Sequence, residues 1–188
     1  MPAFPMAEVD LLPFAGEAAA NRLLVEDPMA LLVGFVLDQR VPMERAFSAP
    51  LELMRRLGTI SPGGLLALDP EVVEGAFAQA PALHRFPRMM ARRVTALCLL
   101  LQERYQSRPE LIWEGVADAA QLKARLRSLP GVGPQKADTL LGVLAKQLGV
   151  KPAGWEAFIP DHVCLADIRD EAGLAGYRAY KRSLKGRS

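Results

Sequence analysis

The sequence lacks several features that would each have set its class. It holds only two cysteines, Cys98 and Cys164, far apart along the chain. Two thiols cannot supply the four thiolates of an iron–sulfur cluster or of an all-cysteine zinc site. They are expected as reduced, buried cysteines, with a disulfide the lesser alternative. No apolar run approaches the roughly 18 residues of a membrane span, so no membrane partner is expected. The first residues, MPAFPMAEVD, lack the basic start and apolar core of a secretory signal, and a cytoplasmic location is the expectation. No group of histidine, cysteine and acidic residues has metal-ligand spacing, so no metal centre is expected. Strand-like alternation, internal repeats and low-complexity segments are missing as well.

What remains is ordinary in bulk and uneven in detail. The 188 residues suffice for one domain or two small lobes with a real core. Charged residues make up 23% and hydrophobic ones 51%, as in soluble globular proteins, and the net charge is only +2. Its distribution says more. Residues 1–30 carry five acids and one base, whereas His84 to Arg93 (HRFPRMMARR) carries Arg85, Arg88, Arg92 and Arg93 with no acid. The last eleven residues, RAYKRSLKGRS, carry five bases and no acid. Such clusters can track a phosphate backbone, and a solvated surface is the plainer reading.

Apolar spacing is helical nearly throughout, which predicts an all-α fold with many short helices. Helices are expected over Glu17–Asp27, Met29–Gln39 behind Pro28, Met43–Phe47 behind Pro42, and Leu51–Gly58. Others are expected at Gly63–Leu68, at Pro70–Gln79 with Asp69 as N-cap, and from Pro87 to about Gln106. The last three cover residues 118–128, 134–148 and 171–184. The stretch Val150–Ile159 reads as a loop.

Between the helices of 118–128 and 134–148 lies LPGVGPQKA, Leu129 to Ala137. Gly131 and Gly133 can take backbone angles closed to other residues and let another backbone come near. Pro134 suits the first position of a helix, where a missing N–H costs nothing. The free N–H groups and dipole of that helix start favour an anion such as a DNA phosphate, and Lys136 adds charge in the first turn.

This turn resembles the helix–hairpin–helix of DNA-binding proteins, here spanning residues 118–148; a plain αα-corner is the alternative. A second stretch, LVGFVLDQRVPMERAF from Leu32 to Phe47, resembles the segment of the HhH-GPD base-excision glycosylases in which a glutamine follows an apolar helix. Met89–Leu101 is similar to that family's helix before the hairpin. The resemblance runs in the family's order over residues 25–168, within one unit of residues 1–188, and is nearest to a small bacterial subgroup without the cluster. It implies a helix–hairpin–helix glycosylase fold, two small helical lobes with a cleft between them. It implies double-stranded DNA with a damaged base as the partner, bound by a monomer. Gln39, Arg40 and Val41 match the positions that fill the gap left by the flipped base, while Gly131, Gly133, Gln135, Lys136 and Arg93 would hold the backbone. No cofactor is implied beyond a monovalent cation that hairpin carbonyls can hold in this family.

The family's lyase members place a Schiff-base lysine two residues after the last hairpin glycine. This chain has Gln135 there. Lys136 is one residue on, turned about 100° around the helix, and is expected to reach backbone or solvent. The resemblance therefore implies a monofunctional glycosylase using water. The family also needs an aspartate downstream of the hairpin, to stabilise the cationic sugar or orient the water. In IPDHVCLADI, Ile159 to Ile168, both Asp161 and Asp167 are candidates and stay open, with Asp138 a weaker third and simple helix capping the alternative. His162 could serve as an acid or touch phosphate. Trp113, Trp155, Tyr177 and Tyr180 are candidates for base stacking, with a core role the commoner fate.

Overall fold

The computed structural model describes Phe4 and residues 6–185. Among them are helices and no strand, so the chain is all-α. In chain order the α-helices are α1 (Ala18–Glu26), α2 (Pro28–Leu37), α3 (Met43–Leu57), α4 (Pro62–Leu66), α5 (Pro70–Ala78), α6 (Pro87–Tyr105), α7 (Ala119–Arg127), α8 (Pro134–Lys146) and α9 (Glu171–Lys185). Short 3-10 helices occupy Pro109–Ile112, Trp155–Phe158 and Leu165–Asp167. Arg187 of the basic C-terminal run lies outside the described residues.

The sequence PMALLVGFVL has no polar face, and a helix apolar all round must be buried. Accordingly every residue of α2 from Met29 to Leu37 is buried, and α1, α3 and α6 pack around it. The Asp27 carboxylate caps its start by accepting from the Met29 N–H at 2.8 Å, with Pro28 at the first position. Gly34 is the point of closest approach to α3: a Cβ there would lie 2.4 Å from the Phe47 ring. That ring sits edge-on against both Phe14 and Phe35, with centroids 5.1 and 5.3 Å away.

One expectation is corrected. Met43–Phe47 and Leu51–Gly58 are not separate helices; α3 runs unbroken through Pro50 and ends at Gly58 in the left-handed conformation. A proline costs a helix one hydrogen bond, but Ala46, Phe47, Pro50 and Leu53 fall on one buried face, and packing along it outweighs that loss. The stretch expected to be a loop, Val150–Ile159, contains a 3-10 turn at Trp155–Phe158.

α7 and α8 form the hairpin. Leu122, Leu126, Leu129 and Val132 are buried on one side, Ala137 and Leu140–Ala145 on the other. The Lys123 ammonium joins the Asp138 carboxylate across the pair at 2.6 Å, which gives Asp138 a structural role. Cys98 and Cys164 are both buried free thiols. Burial pushes Cys98 up to about 12 and raises Cys164, which leaves both protonated and unreactive at neutral pH.

Candidate functional site

The site begins at the C-terminal end of α2. A helix leaves its last four carbonyls without partners in the helix, and here they end inside the protein. Each finds a donor. The Gly34 carbonyl accepts from the Asp38 N–H and the Leu37 carbonyl from the Gln39 N–H. One local and one distant side chain supply the rest. The Gln39 side-chain amide donates to the Val36 carbonyl at 2.7 Å, and the Lys136 ammonium donates to the Phe35 carbonyl at 2.7 Å. Lys136 thus reaches backbone from the first turn of α8, across about a hundred residues of sequence.

The same capping draws the hairpin against the loop at residues 38–41. Arg93, on α6, donates from Nη1 to the Gln39 Oε1 at 2.7 Å. Gly131, at φ +77°, leaves room for this pair: a Cβ there would lie 2.7 Å from the Arg93 Cδ and 3.2 Å from the Gln39 Nε2. Gly133 differs, since nothing lies within 4 Å of its would-be Cβ and its φ is an ordinary −79°. His84 fixes the loop from below. It is buried, its Nε2 lies 2.9 Å from the Gln39 carbonyl, and its Nδ1 accepts the Phe86 N–H at 3.0 Å. Both contacts fit only the neutral ring carrying its proton on Nε2.

Burial holds the His84 pKa below the ordinary value. The unfolded chain binds a proton near the usual histidine pKa of about 6.5, and the folded chain resists until lower pH. This contribution to stability is therefore full above about pH 6.5 and is lost as pH falls below it. In denaturant titrations between about pH 7 and 5, His84→Gln is expected to show a shallower loss of stability than the parent chain. Parallel curves would place the acid sensitivity elsewhere.

Beyond Gln39 the chain turns sharply at Arg40, a non-glycine residue at φ +55°. Such strain is held only where surrounding contacts over-determine it. Arg40 is exposed and Val41 half-buried. Gln39 itself is held by Val36 and Arg93 rather than projecting. Among the four arginines of the basic run, Arg88 and Arg92 share Glu74 and Arg85 lies over the Phe86 ring at 4.9 Å. Only part of that charge is therefore open to an outside anion.

Three depressions meet at Asp38. The first, of about 610 Å³, runs along the hairpin turn between Gly131, Gly133, Gln135, Lys136, Gln39 and Asp38. The second, of about 430 Å³, lies under α9 and is walled by Phe35, Asp38, Lys136, His162, Tyr177 and Lys181 among others. The third, of about 710 Å³, passes Asp38, Arg40, Glu44, Tyr177 and Arg178. Burial raises the Asp38 carboxyl above the usual range, with Lys136 and Lys181 pulling it back. Burial likewise pushes Lys136 down to about 8, against the opposing pull of Asp38. Tyr177 is driven up to about 12 by burial and by Asp38.

The two carboxylates singled out in the sequence lie apart from this junction, and neither lines any of the three depressions. Asp167 accepts from the Lys146 ammonium at 2.6 Å and from the Cys164 N–H at 3.0 Å. Burial raises its carboxyl, but these bonds outweigh it and leave Asp167 below the ordinary carboxylate range. Asp161 projects fully into solvent, 3.3 Å from the His162 ring. His162 does face the cavity and stacks on Tyr180 with centroids 5.9 Å apart. Trp113 is a core residue stacked on Phe4, and Trp155 packs against the core. No motif in the sequence singles out Asp38. The signal that could have raised it is its position: a carboxylate directly after ten apolar residues is dragged inward by a helix that has no exposed face.

Comparison with protein-family models, with curated proteins and with solved structures found no match.

Proposed function

We propose that this chain is a monofunctional DNA glycosylase of the HhH-GPD type, excising a damaged or mispaired base from double-stranded DNA. The observation that carries the reading is the convergence of two sequence-remote segments, Asp38 with Gln39 and the glycine turn at 131–136, on one depression. The open backbone at Gly133 and the start of α8 suit a phosphate, and the strained, exposed Arg40 with Val41 stands beside it where a base would be displaced. In this reading two helical lobes close on DNA at that junction, with Arg93 and Gln39 tying the hairpin to the gap-filling loop. A monovalent cation would sit on hairpin carbonyls, and the protein would act as a cytoplasmic monomer. Gln135 carries no amine and Lys136 is spent on the Phe35 carbonyl, which supports water as nucleophile.

A second reading is a non-catalytic lesion- or structure-binding protein on the same scaffold. The placement of Asp161 and Asp167 outside the three depressions favours it.

Duplexes carrying uracil, hypoxanthine, an alkylated adenine or an oxidised guanine separate the two readings. Strand breaks that appear only after hot alkali are expected for at least one lesion. Breaks without alkali, trapped by borohydride, would mean that the Lys136 amine leaves Phe35 and attacks the sugar. Binding without breaks on any lesion would establish the second reading.

A further inference from the structure

We propose that α9 is an arm that grips a DNA strand through Arg178, Lys181 and Arg182, and that Glu44 stands in for a phosphate on Arg178 until DNA arrives. The inference rests on the DNA-binding part of the reading above. It adds a second strand contact, remote from the hairpin, and a competitor built into the chain.

The arm is fixed at one end only. At its root Arg169 donates to the Lys146 carbonyl and lies 3.4 Å from the Glu8 carboxylate. The Asp170 carboxylate accepts the Gly173 N–H at 2.8 Å. Gly173 fits against the turn at Leu165–Asp167 so closely that a Cβ there would lie 2.7 Å from the Asp167 carbonyl oxygen. Past Gly173 the hold thins. None of residues 174–184 is buried, and only Leu174, Tyr177 and Tyr180 among them are even half-buried. Depressions of about 430 and 710 Å³ adjoin this part of the helix. A helix held by so little apolar contact opens locally at little cost.

Charge gives the arm its ligand. Arg178, Lys181 and Arg182 are spaced three and four residues apart, so they share one face of α9. With Arg40 they set four cations around the larger depression, against the carboxylates of Asp38 and Glu44. Of the four, Arg178 alone is in an ion pair among the described residues. The Lys181 ammonium lies over the Tyr177 ring, 5.7 Å from its centroid. A row of cations along one helix face can neutralise successive phosphates of a strand. This row borders the same depression as Arg40 and Val41, beside which the displaced base is proposed to lie.

Glu44 is the competitor. Its Oε1 accepts from the Arg178 Nη2 at 2.7 Å, across 134 residues of chain. Side-chain exposures of 53% for Arg178 and 36% for Glu44 leave the pair open to solvent. Exposed pairs of this kind add little to stability, so an incoming anion can displace the carboxylate cheaply. Burial raises the Glu44 carboxyl, but the bond from Arg178 outweighs it and holds Glu44 below its ordinary value. The competitor is therefore charged at neutral pH. A phosphate presents the guanidinium with the same paired oxygens as a carboxylate. Arg178 exchanges one oxyanion for the other, and Glu44 is released to solvent.

The test uses a fluorescein-labelled duplex without a lesion, its binding followed by anisotropy over a range of potassium chloride concentrations. Arg178→Gln is expected to weaken binding about 3- to 10-fold and to make the slope of log K against log salt shallower by about one. Glu44→Gln is expected to strengthen binding by about the same factor. The double variant decides between exchange and a general charge effect. Exchange predicts no gain from Glu44→Gln once Arg178 is gone, and a general charge effect predicts the same gain in both backgrounds. Both side chains are at the surface, so the variants should melt with the parent; Glu44→Ala and Arg178→Ala are the second pair. Additive changes, or a salt slope unaltered by Arg178→Gln, overturn the inference and leave the glycosylase reading standing. A parent protein that fails to bind the duplex even at low salt overturns that reading and the inference together.

Discussion

Phe47→Ala lowers stability by about 3–5 kcal/mol, the range for removing a fully buried phenylalanine. Its ring is sealed between Phe14 and Phe35 and lies against Gly34, so little can collapse into the space it leaves. The expected companion result is a coupling. Gly34→Ala alone places a methyl 2.4 Å from the ring and costs about 1–3 kcal/mol by overpacking. In the Phe47→Ala background the same substitution meets empty space and costs little. A double-mutant cycle by urea denaturation measures the difference, expected near the full cost of the clash. Additive effects would mean that α2 and α3 can slide apart, and that the packing does not lock them. The consequence reaches the site, because Phe35 forms part of the cavity wall and its carbonyl receives Lys136.

The second large effect separates the two hairpin glycines. Gly131→Val forces a β-branched residue into φ +77° and drives its Cβ into Arg93. The conformational cost alone is roughly 1–2 kcal/mol. Displacing Arg93 also frees Gln39 and unties the hairpin from the loop at 38–41. Stability and affinity for duplex DNA are therefore expected to fall together, affinity by at least about tenfold. Gly133→Ala is the informative contrast. Its backbone angles are ordinary and nothing lies near its would-be Cβ, so stability should change by less than about 1 kcal/mol. If a phosphate comes close to this backbone, the added methyl still reduces DNA affinity. Unchanged melting with weakened binding supports the proposed contact; unchanged binding places the phosphate elsewhere and removes the main argument for the hairpin as a DNA clamp.

Much of the scaffold was legible because local rules acted without opposition. Asp27 and Asp69 cap the helices that Pro28 and Pro70 open, and Gly58 ends α3, each as its residue type requires. Pro50 misled because propensity is a local cost and the buried face of α3 is a tertiary gain. The candidate site divides in the same way. The hairpin glycines announced themselves, since a left-handed turn needs glycine at Gly131. The roles of Asp161 and Asp167 could not be separated by spacing, and contacts made the distinction: one carboxylate has Lys146 and the other has solvent.

The sequence by itself determined an all-α chain, a central helix that must be buried, and a glycine turn opening α8. Those follow from periodicity, hydrophobicity and backbone sterics, which act between near neighbours. Only the tertiary structure decided that Lys136 caps the end of α2, that Arg93 ties the hairpin to that end, and that Asp38 stands without an ion pair, among the described residues, where three depressions meet. These depend on which distant groups share a desolvated space. A buried carbonyl takes whatever donor the fold brings within about 3 Å, and no spacing along the chain records that choice.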